Sequence, residues 1–130
     1  MYTENPTLAS LPAAAATAAF LLVKQSAGTY AIAGAATTEN AIGATQRAVI
    51  LGEITAPRRP TAGSIVLTAS AAIVAGAKVV ADAGGKVKTL PANGGGFAVQ
   101  VGIAVSAAAA DGDWLTVEPH CFGLIVTIPV

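Results

Sequence analysis

AKVVADAGGKV, residues 77–87, decides how this chain is read. A short apolar run enters a turn containing Asp and paired glycines, and a second strand returns. FLLVKQSAGTY, residues 20–30, has the same shape. In each copy a loop follows, then a branched apolar residue beside a glycine (Ile42-Gly43, Val101-Gly102), then an Ala-rich strand. GSIVLT at 63–68 and GLIVTI at 123–128 close the two copies, and matched positions lie 57 to 60 residues apart. Short β-rich runs at regular spacing, separated by Gly-rich turns, predict an all-β fold. The expected architecture is a small β-barrel or sandwich of two similar hairpin-containing repeats, at about 20–68 and 77–128, with an extended N-terminal arm.

Working outward, the second copy has the clearest pattern. Strands 77–81 and 86–90 meet across DAGG, and PANGGG at 91–96 is a loop. FAVQVGIAV at 97–105 alternates strictly. Its period of two predicts a central strand with Phe97, Val99, Val101, Ile103 and Val105 facing the core. Residues 106–113 form an Ala-rich loop, and 114–118 and 122–128 are closing strands. In the first copy, strands 20–24 and 29–33 flank a turn at 25–28, and 34–41 is a loop. A strand is expected at 46–55, QRAVILGEIT, then a polar loop at 56–63 and a strand at 64–68. Residues 1–12, with Pro6 and Pro12, read as an arm, and 13–130 as one β domain.

Composition narrows the function. Ala supplies 31 of 130 residues, and only 11% of the chain is charged, against roughly 25% in an ordinary soluble domain. Outer positions must therefore carry Ala, Thr, Gly and Val, a surface suited to packing against protein. A homo-oligomer or lattice component is expected. Zero net charge argues against nucleic acid as a partner, because phosphate binding needs a basic footprint. Thr7 to Val23 is uncharged, but Pro12 breaks it and the apolar part is shorter than the ~20 residues of a membrane span. The start carries Glu4 and no Lys or Arg, unlike a signal peptide. No membrane partner is expected.

Few residues offer chemistry. His120-Cys121 places a base beside a thiol, but strand neighbours point to opposite faces, so a turn residue and a packed Cys are expected. Cys121 is the lone cysteine, which excludes an intrachain disulfide and a thiolate cage. Asp111-Gly112-Asp113 lacks the further carboxylates of a Ca²⁺ loop and reads as a turn. DAGG and NGGG lack the Lys-Ser/Thr and helix of a phosphate loop. With one His and scattered acids, no catalytic set can be built, so no catalytic, metal or cofactor site is expected and the protein is not read as an enzyme. Arg58-Arg59, between two prolines, is either a solvated linker or a cationic knob for a partner's carboxylates. Trp114, the only Trp, is placed in the core first and as an interface anchor second.

Residues 75–91 and 101–119 together resemble the capsid cement, or head decoration, proteins of tailed phages. The positions that carry the resemblance are Gly76, Val79, Asp82, Gly85, Lys86 and Val87 of the hairpin. Gly102, Ala104, Gly112, Asp113 and Val117 follow in the same order. The first copy matches more loosely, with Gln25 in place of the Asp. The resemblance implies a virion protein on the outer surface of an icosahedral head, assembled in the host cytoplasm. It would hold major capsid subunits together; many such proteins are trimers, though some bind as monomers or dimers. On this reading Tyr2, Pro6, Leu8, Leu11, Arg58, Arg59 and Trp114 are candidate contacts with the shell or between subunits. The alternative is a fibre- or spike-type module for host-surface binding, which calls for exposed aromatics clustered on loops.

Overall fold

The computed structural model describes residues 10–55, 57–58 and 63–130. The first half contains β1 (Leu11–Pro12), β2 (Leu22–Ser26), β3 (Thr29–Ile32), β4 (Gly43–Ala44), β5 (Ile54–Thr55) and β6 (Ile65–Thr68). The second contains β7 (Lys78–Ala81), β8 (Val87–Thr89), β9 (Phe97–Ala104), β10 (Trp114–Pro119) and β11 (Ile125–Thr127). No α-helix occurs among the described residues; Ala83–Gly85 is a single 3₁₀ turn. The fold is all-β, as predicted, but its strands form separate antiparallel sheets in a sandwich-like arrangement and not one closed barrel. One sheet has the order β3-β2-β4, one pairs β1 with β5, and the largest runs β6-β10-β9-β7-β8 with β11 also on β9.

The repeat is visible in the pairing. In each half the first hairpin strand lies between its hairpin partner and a later strand that presents a glycine. Val23 faces Gly43 as Val79 faces Gly102. The halves are joined through β6, which follows the first hairpin in sequence but pairs with β10 of the second. They also meet at Gly85, where an added Cβ would stand 2.9 Å from the Leu22 carbonyl oxygen and 3.1 Å from Ile32. The second hairpin's turn is thus seated directly on the first hairpin.

The core takes one face of each sheet. Leu22, Ile65, Leu67, Val79, Val101 and Val117 are all buried in one apolar cluster. Burying side chains of this size contributes about 1.5–3 kcal/mol each, which offsets the chain entropy of a fold rich in loops. Thr45 is buried with its hydroxyl satisfied: it donates to the Ala18 carbonyl at 2.9 Å and accepts from the Leu21 N–H at 3.1 Å. That pair fastens residues 18–21 onto β4 and fixes where the first hairpin begins.

Two expectations are corrected. The strand at 46–55 is absent except for a bridge at Val49 and β5 at its end. The Glu53 carboxylate accepts the Ile50 N–H at 3.1 Å and pairs with Arg47, and Gly52 has a φ of 78°, so the segment closes into a turn. The second correction concerns β9, which is central, as read from its alternation, but changes phase. Val79 pairs with Gly102 and Val80 with Gln100, leaving Val101 as an extra residue. A bulge of one residue moves every later side chain to the opposite face. Val99 and Val101 are core, whereas Ile103 and Val105 are exposed and Ala104 is buried instead. Phe97 is exposed too, because the core stops short of that end of the strand.

Candidate docking surface

The phase change puts apolar side chains on the outside. On β10, Leu115 and Val117 point inward, so Trp114, Thr116 and Glu118 share the outer face. Glu118 pairs with Ile103, and the Val105 N–H donates to the Thr116 carbonyl at 2.8 Å. Trp114, Ile103 and Val105 therefore lie on one sheet face. Trp114 is 63% exposed and meets Phe20 edge-on, with ring centroids 4.7 Å apart. The expected core position of Trp114 is corrected. β10 begins at this residue, on the outward parity.

Phe20 is held in place unusually tightly. Its φ is 63°, in the left-handed region that a bulky residue rarely adopts. Its N–H donates to the Thr45 carbonyl at 2.9 Å, and its carbonyl accepts the Thr68 N–H at 3.0 Å. Strain of this kind, held by bonds on both sides, fixes the ring that supports Trp114. One half of the molecule supplies the support and the other the exposed indole.

Two further apolar groups are exposed. Ile50, Leu51 and Ile54 surround the turn before β5, and Ile54 is opposite Pro12 of β1. Phe97, Leu124, Ile125 and Val130 lie around β11. Charge is largely neutralised within the chain by Lys24–Glu39, Arg47–Glu53, Lys86–Asp111 and Lys88–Asp82. Such a surface offers apolar contact area with little uncompensated charge, the character of an interface centre.

The remaining candidates are placed as follows. Tyr2, Pro6, Leu8 and Arg59 lie outside the described residues. Leu11 is half-buried in β1, opposite Thr55. Arg58 is half-buried, and its backbone pairs with Ala44 in both directions, at 2.8 and 3.1 Å. The structure does not bring Leu11, Arg58 and Trp114 into one pairing network. Cys121 is exposed in a turn, with a φ of 48°, and is not packed as expected. Between Pro119 of β10 and Ile125 of β11 the chain makes an excursion that carries Cys121 out of the sheet, while the His120 N–H still donates to the Val101 carbonyl at 3.3 Å. Asp113 acts as turn chemistry predicts, its carboxylate accepting the Ala109 and Ala110 N–H groups at 3.0 and 3.1 Å.

Asp82 shows how the signature residues work. Its carboxylate accepts the Ser70 hydroxyl at 2.6 Å and the Ala83 N–H at 2.8 Å, with Lys88 at 3.8 Å. Burial raises its pKa, but those bonds, with Lys88 and Lys86 nearby, outweigh burial and hold the carboxyl below its ordinary range. The sequence reading missed Phe20, Ile103 and Val105 as surface residues. The Gly102 beside Val101 was the available signal, since a glycine inside a strand often marks a bulge.

No curated protein matches the chain. A family model described as phage cement protein matches residues 4–119, a span that takes in the first copy of the repeat and the second as far as β10, and so exceeds the second-half resemblance. The Asp82 turn, the glycine at the β9 bulge and the Asp113 turn are among the positions that carry the resemblance, and all three are structural. The chain belongs to the phage cement protein family, a family of structural capsid proteins.

Proposed function

We propose that this protein binds the outer surface of an icosahedral phage head and stabilises contacts between major capsid subunits. The family match over residues 4–119 carries this reading. Its support in the fold is the apolar surface of Trp114, Ile103 and Val105, which Phe20 supports and Glu118 and Lys78 border. Contact of this kind binds the assembled shell better than free subunits, and that difference in affinity is the stabilisation. The protein acts as a homo-oligomer, with a trimer favoured by the resemblance, and Trp114 anchors one contact. The arm residues Tyr2, Pro6 and Leu8, with Leu11 of β1, Arg58 and Arg59, extend the contact to a neighbour, adding avidity without a bulky interface.

A titration onto shells stripped of the protein tests this. Saturation at a copy number fixed by the lattice, with shells that then survive more heat, is expected. Failure to bind would sink the proposal and bring the host-surface module forward. Because Leu11–Pro12 is paired with β5, a truncation should stop at residue 9. It is expected to weaken attachment and leave the fold intact, as read by circular dichroism and pelleting.

A further inference from the structure

We propose that β11 pairs with β11 of a second copy, antiparallel about a two-fold axis through Val126. This two-fold contact is separate from the favoured trimer's own interface, goes beyond capsid binding and is read on the purified protein, so its failure and the failure of the capsid reading are separate results.

The first observation is an edge on which no strand lies among the described residues: β11 pairs with β9 alone. The other edges of the molecule are covered or blunted. Ala14 donates to Tyr30 of β3, Arg58 bridges Ala44 of β4, and Phe20 accepts from Thr68 of β6. β8 carries Lys88 and gives its Val87 carbonyl to the Ser70 N–H. β1 and β5 are two residues long and contain or face Pro12. Proteins cover or charge edges because a bare one recruits another strand. From Cys121 to Ile128, CFGLIVTI, there is neither a charge nor a proline.

The second observation is register. The Leu124 carbonyl accepts the Gln100 N–H, and the Ile128 N–H donates to Gly96. Leu124, Val126 and Ile128 thus direct their backbone groups at β9, and Ile125 and Thr127 direct theirs away. Two copies related by a two-fold at Val126 set Ile125 against the partner's Thr127. The two residues then exchange both backbone bonds, as a hydrogen-bonded antiparallel pair does. Pro129 ends the ladder beyond that point.

The third is what the pairing covers. Phe97 and Ile125 share a face with buried Val99 but overhang the core, at 65% and 51% exposure. A second β11 continues that face and sets the partner's Thr127 beside Ile125, with Phe97 one strand further in. Identical edges without charge meet with no like-charge repulsion, which favours a second copy as the occupant. The patch is on the order of a few hundred Å², below the ~800 Å² per partner of a stable interface. Association is therefore weak in dilute solution and strengthens wherever copies are concentrated.

The test is a disulfide placed on the axis. Val126 faces its own equivalent in a non-hydrogen-bonded pair, where Cα atoms lie about 4.5 Å apart, within disulfide range. In a Cys121→Ser background, Val126→Cys is expected to form covalent dimers under mild oxidation at least ten times faster than Leu124→Cys. Leu124 faces the partner's Ile128 and has no matching thiol. Adding Thr127→Pro, which removes an outward N–H, should abolish the difference. Independently, sedimentation of the native chain should show association rising with concentration, reduced at least tenfold by Ile125→Lys. Equal cross-linking rates, or sedimentation unaffected by Ile125→Lys, would overturn the proposal.

Discussion

The two copies of the hairpin unit use one plan and different means. In the second, β7 and β8 frame a turn built by Asp82, and β7 then pairs with the eight-residue β9 in the largest sheet. In the first, β2 and β3 turn through Ala27-Gly28, and β2 finds only the two-residue β4. The second copy gains its order from β-branched residues and a side-chain-capped turn. The first copy gains it from polar ties to loops: Thr45 to residues 18 and 21, and Glu39 to Lys24 and the Gly34 N–H. The difference teaches that a repeat can keep its strand pairing while the interactions that hold it are replaced.

The largest way to break the comparison lies in the second copy. An added Cβ at Gly102 would stand 2.1 Å from the Glu118 carbonyl oxygen, so β9 and β10 could not keep their spacing. Gly102→Ala is expected to cost about 4 kcal/mol, at the severe end for one residue. Chemical denaturation measures it. Gly85→Ala attacks the seam between copies, where φ is 75° and the Leu22 carbonyl is 2.9 Å from the added carbon. A cost of about 2–3 kcal/mol follows from strain plus overpacking. If the copies are coupled there, amide exchange in β2 and β3 should accelerate along with exchange in β7 and β8.

The same contrast explains what could be read from the chain. Val79, Val80 and Val87 around DAGG specify a hairpin by local rules alone, and they formed one. β9 was identifiable as a central strand, but its facing depended on one extra residue opposite Val79–Val80, which alternation cannot show. Ile103 and Val105 moved outward for that reason, and with them part of the candidate surface. The 46–55 segment was misread because its apolar residues suggested a strand while Glu53 and Gly52 closed a turn. Trp114 was hardest to place: its exposure depends on β10 parity and on Phe20, 94 positions earlier in the sequence.

Matched substitutions at the turns sharpen the comparison. Asp82 receives the Ser70 hydroxyl and the Ala83 N–H, whereas Gln25, its counterpart, is exposed on β2. Asp82→Ala is expected to destabilise by about 1–2 kcal/mol, in the range for losing a capping carboxylate. Gln25→Ala should stay within about 0.5 kcal/mol. Equal effects would mean the two turns bear load alike. Ala27 offers a gain. Its φ of 51° and that of Gly28, 79°, match a primed hairpin turn, which favours Asn at the first position. Ala27→Asn is expected to stabilise by about 0.5 kcal/mol, as a small upward shift in melting temperature.

The smallest effect concerns acid and separates the copies by chemistry. Glu39 is held below its ordinary range, first by the hydrogen bond from Lys24 and then by the Gly34 N–H. Glu53 is lowered in the same way by Arg47 and the Ile50 N–H. A carboxyl whose folded pKa is depressed contributes stability above its unfolded pKa, about 4.3 for Glu. That contribution is lost as pH falls through the lower folded value. Melting temperature should therefore decline as pH is taken from about 5 to about 3, and the decline should be shallower in Glu39→Gln and Glu53→Gln. These pairs are half-exposed and held by close charge contacts, so salt should flatten the same slope in the native chain. Asp82→Asn should flatten it too, but with less response to salt, because two direct hydrogen bonds hold that carboxylate and its ion pair is the longer contact. A slope equally sensitive to salt in all three variants would show that both copies rest on screened charge, and the contrast between them would be lost.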